Sequence, residues 1–172
     1  MCIRDRPYYH FGEEATNYVD MGPQNSRGFR ALKVWLAIRQ VGRSGYARMI
    51  TDDIALSRRL AALVEDHPEL QGLTRGLSIT TFRYVPPDLR AEVDGVGADA
   101  YLNELNEGLL ERIQNSGEAF VSNAVIRGCY ALRACIVNFR TGEADVDALP
   151  DIVVRLGREV DAVLRPGVRP VA

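Results

Sequence analysis

Two largely apolar runs on either side of Arg127-Gly128 constrain this chain more than any other stretch. Ala119 to Ile126 and Tyr130 to Phe139 each read as a strand, and so short a connection implies an antiparallel hairpin. An antiparallel hairpin is marginal alone and needs a covered face. The sequence supplies helices for that purpose.

A third strand is expected over Leu77-Ser78-Ile79-Thr80-Thr81-Phe82-Arg83-Tyr84-Val85, which is β-branched and aromatic and is stopped by Pro86-Pro87. Before it come two helical patterns. The first runs from about Gly28 to Val41, with Phe29, Leu32, Leu36 and Val41 near helical spacing and Trp35 and Ile38 widening the stripe. Gly42-Arg43-Ser44-Gly45 is expected to break it. A second helix then continues to Asp66-His67-Pro68, where proline forbids continuation. A third, about Asp99 to Ser116, carries Leu102, Leu105, Leu109, Leu110 and Ile113. The last is expected to bury Val146, Leu149, Ile152, Val153, Leu156, Val160, Val163 and Leu164, with Asp147 as its expected cap and Pro150 in its first turn. The order is helix, helix, strand, helix, strand, strand, helix. That order specifies an α+β domain, a small antiparallel sheet covered by helices. Residues 1–27 read as a loop or arm, 28–165 as the folded domain, and 166–172 as a frayed tail.

Composition narrows the function classes. The chain has 172 residues, enough for one domain with a sizeable core at 47% hydrophobic content. A net charge of −2, with basic residues scattered, argues against a nucleic-acid or anionic-membrane partner. The expected setting is reduced and cytoplasmic, because the sequence opens without a charged-then-apolar leader and holds no membrane-length apolar run. Cys2, Cys129 and Cys135, with His10 and His67, have no metal-ligand spacing, so no metal is expected. Lys33 is the only lysine among the 21 basic residues, so any lysine chemistry falls on it. The opening residues lead directly into Pro7-Tyr8-Tyr9, and the arm's Tyr8, Tyr9, Phe11 and Tyr18 are too apolar for a free tail. This reads as part of a longer chain.

Two features could carry chemistry. Asn25 or Ser26 can cap the helix that starts near Gly28. Such a start is either an ordinary cap or a place for a phosphate or carboxylate, since its free N–H groups and partial positive charge favour anions. In Tyr130-Ala131-Leu132-Arg133-Ala134-Cys135-Ile136-Val137-Asn138, Arg133 interrupts an otherwise apolar strand. By alternation it shares a face with Ala131, Cys135 and Val137. A guanidinium keeps its proton and calls for an anion when buried, and its planar fork suits a carboxylate. That anion is either an internal Asp or Glu or an external ligand. No nucleophile triad, HExxH, GxGxxG or P-loop pattern is present.

The run Ser26-Arg27-Gly28-Phe29-Arg30-Ala31-Leu32-Lys33-Val34-Trp35 resembles the pyridoxal-phosphate-dependent decarboxylases of the aromatic-amino-acid, glutamate and diaminobutyrate type. The resemblance continues through the Gly42/Gly45 break, Thr81 to Val85 with Pro86-Pro87, Tyr101 to Ile113, and Tyr130 to Asn138 with the closing helix. It covers nearly everything from Pro7 to Leu164. It implies the C-terminal small domain of a fold-type I enzyme, preceded by the end of a large cofactor domain, in a homodimer that acts on a small amino acid. The family's cofactor lysine, and the Asp and His beside the ring, would lie upstream of these residues. Lys33 matches the helix motif instead, so this chain alone is expected to be inactive. The family's mobile loop carries a Pro-x-Tyr whose tyrosine is implied to be a proton donor. Pro7-Tyr8-Tyr9 matches it, which makes Tyr9 the implied catalytic acid, with Tyr8 as the alternative. The resemblance also implies that Asn25, Ser26 and, more weakly, Arg27 approach the cofactor phosphate of the partner subunit. Arg133 matches the strand arginine implied to meet the substrate carboxylate. A tyrosine in the loop, rather than phenylalanine, implies plain decarboxylation over aldehyde formation. The competing reading is a stand-alone, non-catalytic α+β domain that binds a partner or a small anion.

Overall fold

The computed structural model describes residues 28–91, 93 and 100–166. The chain divides into two compact units, Met1–Tyr46 and Ala47–Ala172. In the first, the described residues form the opening of helix α1 (Arg30–Asp66). The expected four-residue break is confined to a single residue: Gly42 leaves helical geometry at φ 70°, ψ 171°, and the helix resumes at once. Only glycine takes such a φ without steric cost, which is why the interruption falls there.

The second unit holds the sheet. Its strands are β1 (Leu70–Gly76), β2 (Ile79–Tyr84), β3 (Ser122–Ile126) and β4 (Cys129–Cys135), with helices α2 (Ala100–Ser116) and α3 (Glu143–Leu164). The sheet is antiparallel, in the order β1-β2-β4-β3. The α+β class and the antiparallel sheet therefore hold, with one strand more than expected. β1 escaped because its sequence, LQGLTRG, holds two glycines and no alternation. It is an edge strand with a register shift between Gly72 and Thr74.

The β3–β4 hairpin closes as its two-residue loop requires. Ile126 pairs with Cys129, and both loop residues have positive φ, 51° at Arg127 and 84° at Gly128. Both strands are shorter than expected: β3 begins at Ser122 and β4 ends at Cys135.

Cross-strand pairing sorts the side chains. Thr80, Phe82, Tyr84, Leu132 and Ala134 share one face, since Thr80 pairs with Ala134 and Phe82 with Leu132. Phe82, Tyr84 and Leu132 are almost fully buried with Leu60 and Val64 of α1, Leu102, Leu105 and Leu109 of α2, and Leu156 of α3. The buried Thr80 hydroxyl is satisfied by α1, through Ser57 Oγ at 2.9 Å and the Ser57 carbonyl at 3.0 Å.

Two asparagines on one face of α2 finish what the strands leave open. The recorded β2–β4 pairing ends at Phe82–Leu132. Beyond it, Asn106 Oδ1 accepts the Tyr84 N–H at 2.8 Å, while its Nδ2 donates to the Tyr84 carbonyl at 2.9 Å. Three residues earlier, Asn103 accepts the Tyr130 N–H at 2.7 Å and donates to the Gly128 carbonyl at 2.9 Å. Buried backbone groups need such partners, and residues three apart on a helix lie side by side.

α3 starts earlier than expected. The cap position expected of Asp147 is held by Gly142, whose N–H is accepted at 2.8 Å by Oδ2 of Asp145 three residues inside the helix. Asp147 instead takes both Nε and Nη2 of Arg59, at 2.6 and 2.8 Å. Pro150 therefore lies inside the helix rather than in its first turn. α3 is joined to the sheet by an ion pair between an exposed arginine and a buried carboxylate: Arg158 donates twice to Glu69, which also receives the Tyr84 hydroxyl at 3.2 Å. Burial, and then the Glu69 charge, push the Tyr84 phenol well above its ordinary range.

Candidate functional site

β4 is flanked by a strand on each side, and Arg133 sits near its middle, opposite Thr81 of β2 and Ser122 of β3. Its side chain belongs to the sheet face that carries Thr81, Arg83, Ala131 and Cys135, away from the Phe82–Leu132 core. That face is closed at one end, where Arg83 is 1% exposed and Ala131 0%. It opens at the other: Arg133 is half-buried and Cys135 exposed. The guanidinium is held lightly, by Nη1 donating to Ser122 Oγ at 3.4 Å. Ser122 in turn donates to the Arg133 carbonyl at 3.3 Å.

Of the two partners left open for Arg133, the described residues supply no internal one. Among the described residues no carboxylate pairs with it, although Arg59, Arg112, Arg155, Arg158 and Arg165 all have one. A half-buried cation held only by a neutral hydroxyl keeps most of its donors for a ligand. The chemistry on offer is two-point recognition of a carboxylate on a rigid, centrally placed strand.

Arg83 is a second cation on this face, and the sequence reading did not single it out. Its Nε donates to Gln71 Oε1 at 2.7 Å. The signal was present, since a charge inside a β-branched strand two residues from Thr81 must share the Thr81 face. Thr81 itself is tied to β1, with its hydroxyl 2.7 Å from Thr74 Oγ1. The remaining expected site residues, Tyr8, Tyr9, Asn25, Ser26 and Arg27, lie outside the described residues. Among the described residues no group of three His, Cys, Asp or Glu side chains is placed to hold a metal. No described helix is long and apolar enough to cross a membrane.

No protein-family model matches the chain. Individual proteins do. Tyrosine decarboxylase of Oryza sativa subsp. japonica is 33% identical over 138 residues, which is 78% of this chain and 26% of the relative. Aromatic-L-amino-acid decarboxylase of Bacillus atrophaeus is 30% identical over 149 residues, 86% of this chain and 30% of the relative. The chain matches the C-terminal part of the group II pyridoxal-phosphate-dependent amino-acid decarboxylases. It spans about a quarter to a third of the length of the curated relatives it matches. Among solved structures, the Oryza sativa decarboxylase with pyridoxal phosphate and tryptamine aligns at a TM-score of 0.69 and 24% identity, over 85% of this chain and 29% of that one. This likeness carries the fold, which is that of the decarboxylases' fold-type I neighbours.

The single lysine, Lys33, is exposed on α1, and the residues singled out for the phosphate fall outside the described set. What the described residues do contain is Arg133, a half-buried cation on a flanked strand with no carboxylate partner among them.

Proposed function

We propose that this chain is the C-terminal portion of a pyridoxal-phosphate-dependent carboxy-lyase that converts an amino acid to an amine and carbon dioxide. Its own contribution is the Arg133 contact to the substrate carboxylate. The observation that carries this reading is Arg133, half-buried on a flanked strand with no carboxylate partner among the described residues. A carboxylate held from one side in two-point contact has a fixed orientation, and fixing the bond to be broken is a large part of what such a site can supply. The cofactor, when bound in the full-length protein, supplies the electron sink.

In the same reading Tyr9, or Tyr8, donates a proton after carbon dioxide leaves, and Asn25, Ser26 and Arg27 meet the cofactor phosphate of a partner subunit. The working protein is a cytoplasmic homodimer that engages neither nucleic acid nor membrane. Without a lysine beyond Lys33, the 172-residue chain neither retains the cofactor covalently nor turns over substrate.

Two measurements test this. Sequencing the genomic DNA upstream of the Pro7 codon should reveal an open frame with a His-Lys or Asn-Lys site. An in-frame stop immediately upstream would overturn the carboxy-lyase assignment. Borohydride reduction of the chain with pyridoxal phosphate should give no site-specific adduct and no carbon dioxide release from tyrosine, tryptophan or glutamate. Turnover by the chain alone would overturn the assigned inactivity.

A further inference from the structure

Glu118, Glu143, Asp145 and Asp147 stand in or beside the opening of α3, and arginines answer all but one of them. Arg59 takes Asp147 through Nε and Nη2, and Glu143 through Nη1 at 3.2 Å. Arg155 Nη2 lies 2.7 Å from each oxygen of Glu118. Asp145 is the exception. Its Oδ2 accepts the Gly142 N–H at 2.8 Å, and among the described residues no cation meets it. Oδ1 is left for an incoming donor.

Asp145 lines a cleft of about 370 Å³ within the unit Ala47–Ala172. The floor is apolar and buried, made by Leu60, Val121, Ala134, Val146 and Leu149. Phe120 also lines the cleft and is 80% exposed, which puts its ring at the rim. Glu118 and Asp145 are the charged residues of the lining, and no basic side chain joins them. The volume falls in the range of pockets that enclose small ligands, ample for a compound with one aromatic ring. Each part of the cleft selects. An apolar floor with an aromatic rim takes a ring, by burial and by ring–ring contact. A carboxylate with no internal cation takes a positively charged donor. A ligand carboxylate would find no cation in the lining and would be repelled by Asp145.

We propose that this cleft is a binding site for arylalkylamines, with the ring on the Val146 and Leu149 floor beside Phe120 and the ammonium on Asp145 Oδ1. The site discriminates by charge: it accepts an amine and rejects the amino acid that carries the same ring. It is the counterpart of Arg133, where a cation without an internal partner calls for a carboxylate. An arylalkylamine is also what decarboxylation of an aromatic amino acid releases. In a decarboxylase carrying this segment the cleft would therefore register product and not substrate. The binding itself rests on the cleft alone, and it holds equally for a domain without catalysis.

The test follows the amide resonances of the isotope-labelled 172-residue chain as 2-phenylethylamine is added, with phenylalanine and 3-phenylpropionate as probes of the same ring. The amides of Val121, Ala134 and Val146 should shift with the amine, at a dissociation constant of about 1 mM, and stay unmoved by the two carboxylates. Asp145→Asn keeps an oxygen for the Gly142 N–H while removing the charge. It should weaken binding about fivefold, the upper end of what an exposed ion pair supplies. Phe120→Ser should weaken it about tenfold. Both positions are exposed, and circular dichroism checks that each variant keeps the fold. No shift at these amides up to about 10 mM amine would overturn the proposal. An equal response to either carboxylate probe would do the same, because it would mean burial of a ring without recognition of charge. So would an affinity left unchanged by either substitution.

Discussion

Gly157→Ala is the substitution whose outcome the packing of α3 on the sheet decides. A Cβ at Gly157 would lie 2.7 Å from two carbons of the Tyr84 ring, closer than Cβ atoms approach anything. Two effects compete. Alanine in a helix interior is favoured over glycine by about 1 kcal/mol. Against that, overpacking a tight core costs about 1–3 kcal/mol. Tyr84 cannot yield freely, because its hydroxyl is bound to the buried Glu69, which Arg158 also holds. Swinging the ring away would forfeit a hydrogen bond to a charged group, worth a further ~1.5–3 kcal/mol. The clash outweighs the propensity, and the net expectation is a loss of about 1.5–5 kcal/mol. Gly108→Ala is the control. Its Cβ would meet only Val160 Cγ1, at 3.3 Å, a side-chain methyl that can shift by a few tenths of an ångström. There the propensity gain should survive largely intact. Both are measured by urea denaturation. A Gly157→Ala protein as stable as the parent, with an unchanged slope, would refute the claim that α3 is pressed onto Tyr84.

Other expectations follow from the same geometry. Asn106→Leu strands the buried N–H and carbonyl of Tyr84 and should cost about 2–5 kcal/mol in urea denaturation. Arg127→Asn places a residue tolerant of positive φ at a position where φ is 51°, and should stabilise the chain by about 1 kcal/mol. The Asp88 carboxyl is held below its ordinary range by Arg165, and the Asp147 carboxyl by Arg59. A carboxyl whose folded pKa is lowered contributes stability that is present above its unfolded value and lost as pH falls through the folded one. Thermal midpoints should therefore drop below about pH 4, and Arg165→Met should remove the Asp88 part of that dependence. In a full-length decarboxylase carrying this segment, Arg133→Met should lower kcat/KM about 100-fold or more while Arg133→Lys retains part of it, because lysine keeps the charge but not the fork.

The fold was legible where local chemistry and tertiary pairing agree. Arg127-Gly128 between two apolar runs could only be a tight hairpin, and the leucines of α2 left one way for that helix to face. β1 was illegible because edge strands need little propensity of their own. Its glycines and bulge are tolerated since β2 supplies the pairing. The cap of α3 was misplaced for a related reason. The helix starts five residues before Asp147, at a Gly142 cap that carries no side-chain signal, and Asp147 is taken by Arg59, 88 residues away in sequence. Arg133 was legible as an anomaly and undecided as a site. Only the structure could say whether an internal carboxylate answered it.

The structure also gives a reason why an arginine on this strand can serve a ligand rather than the fold. Stability here draws its ion pairs from other places: Arg158 with Glu69 under α3, Arg165 with Asp88 and Asp161 at its end, and Arg59 with Asp147 at its start. The pairs of Arg158 with Glu69, Arg165 with Asp88 and Arg59 with Asp147 join segments distant in sequence, Arg165 with Asp161 spans one helical turn, and each arginine is used up in doing so. Arg133 joins nothing. Its backbone is fixed from both sides by the β2 and β4 ladder and the β3 and β4 ladder. Its side chain meets one hydroxyl at the long end of hydrogen-bond range. A cation with a rigid base and unspent donors is poorly explained as a stabilising element, since losing it would leave no buried partner uncompensated. Under the proposed function it is a preformed half of a charge pair whose other half arrives with the substrate.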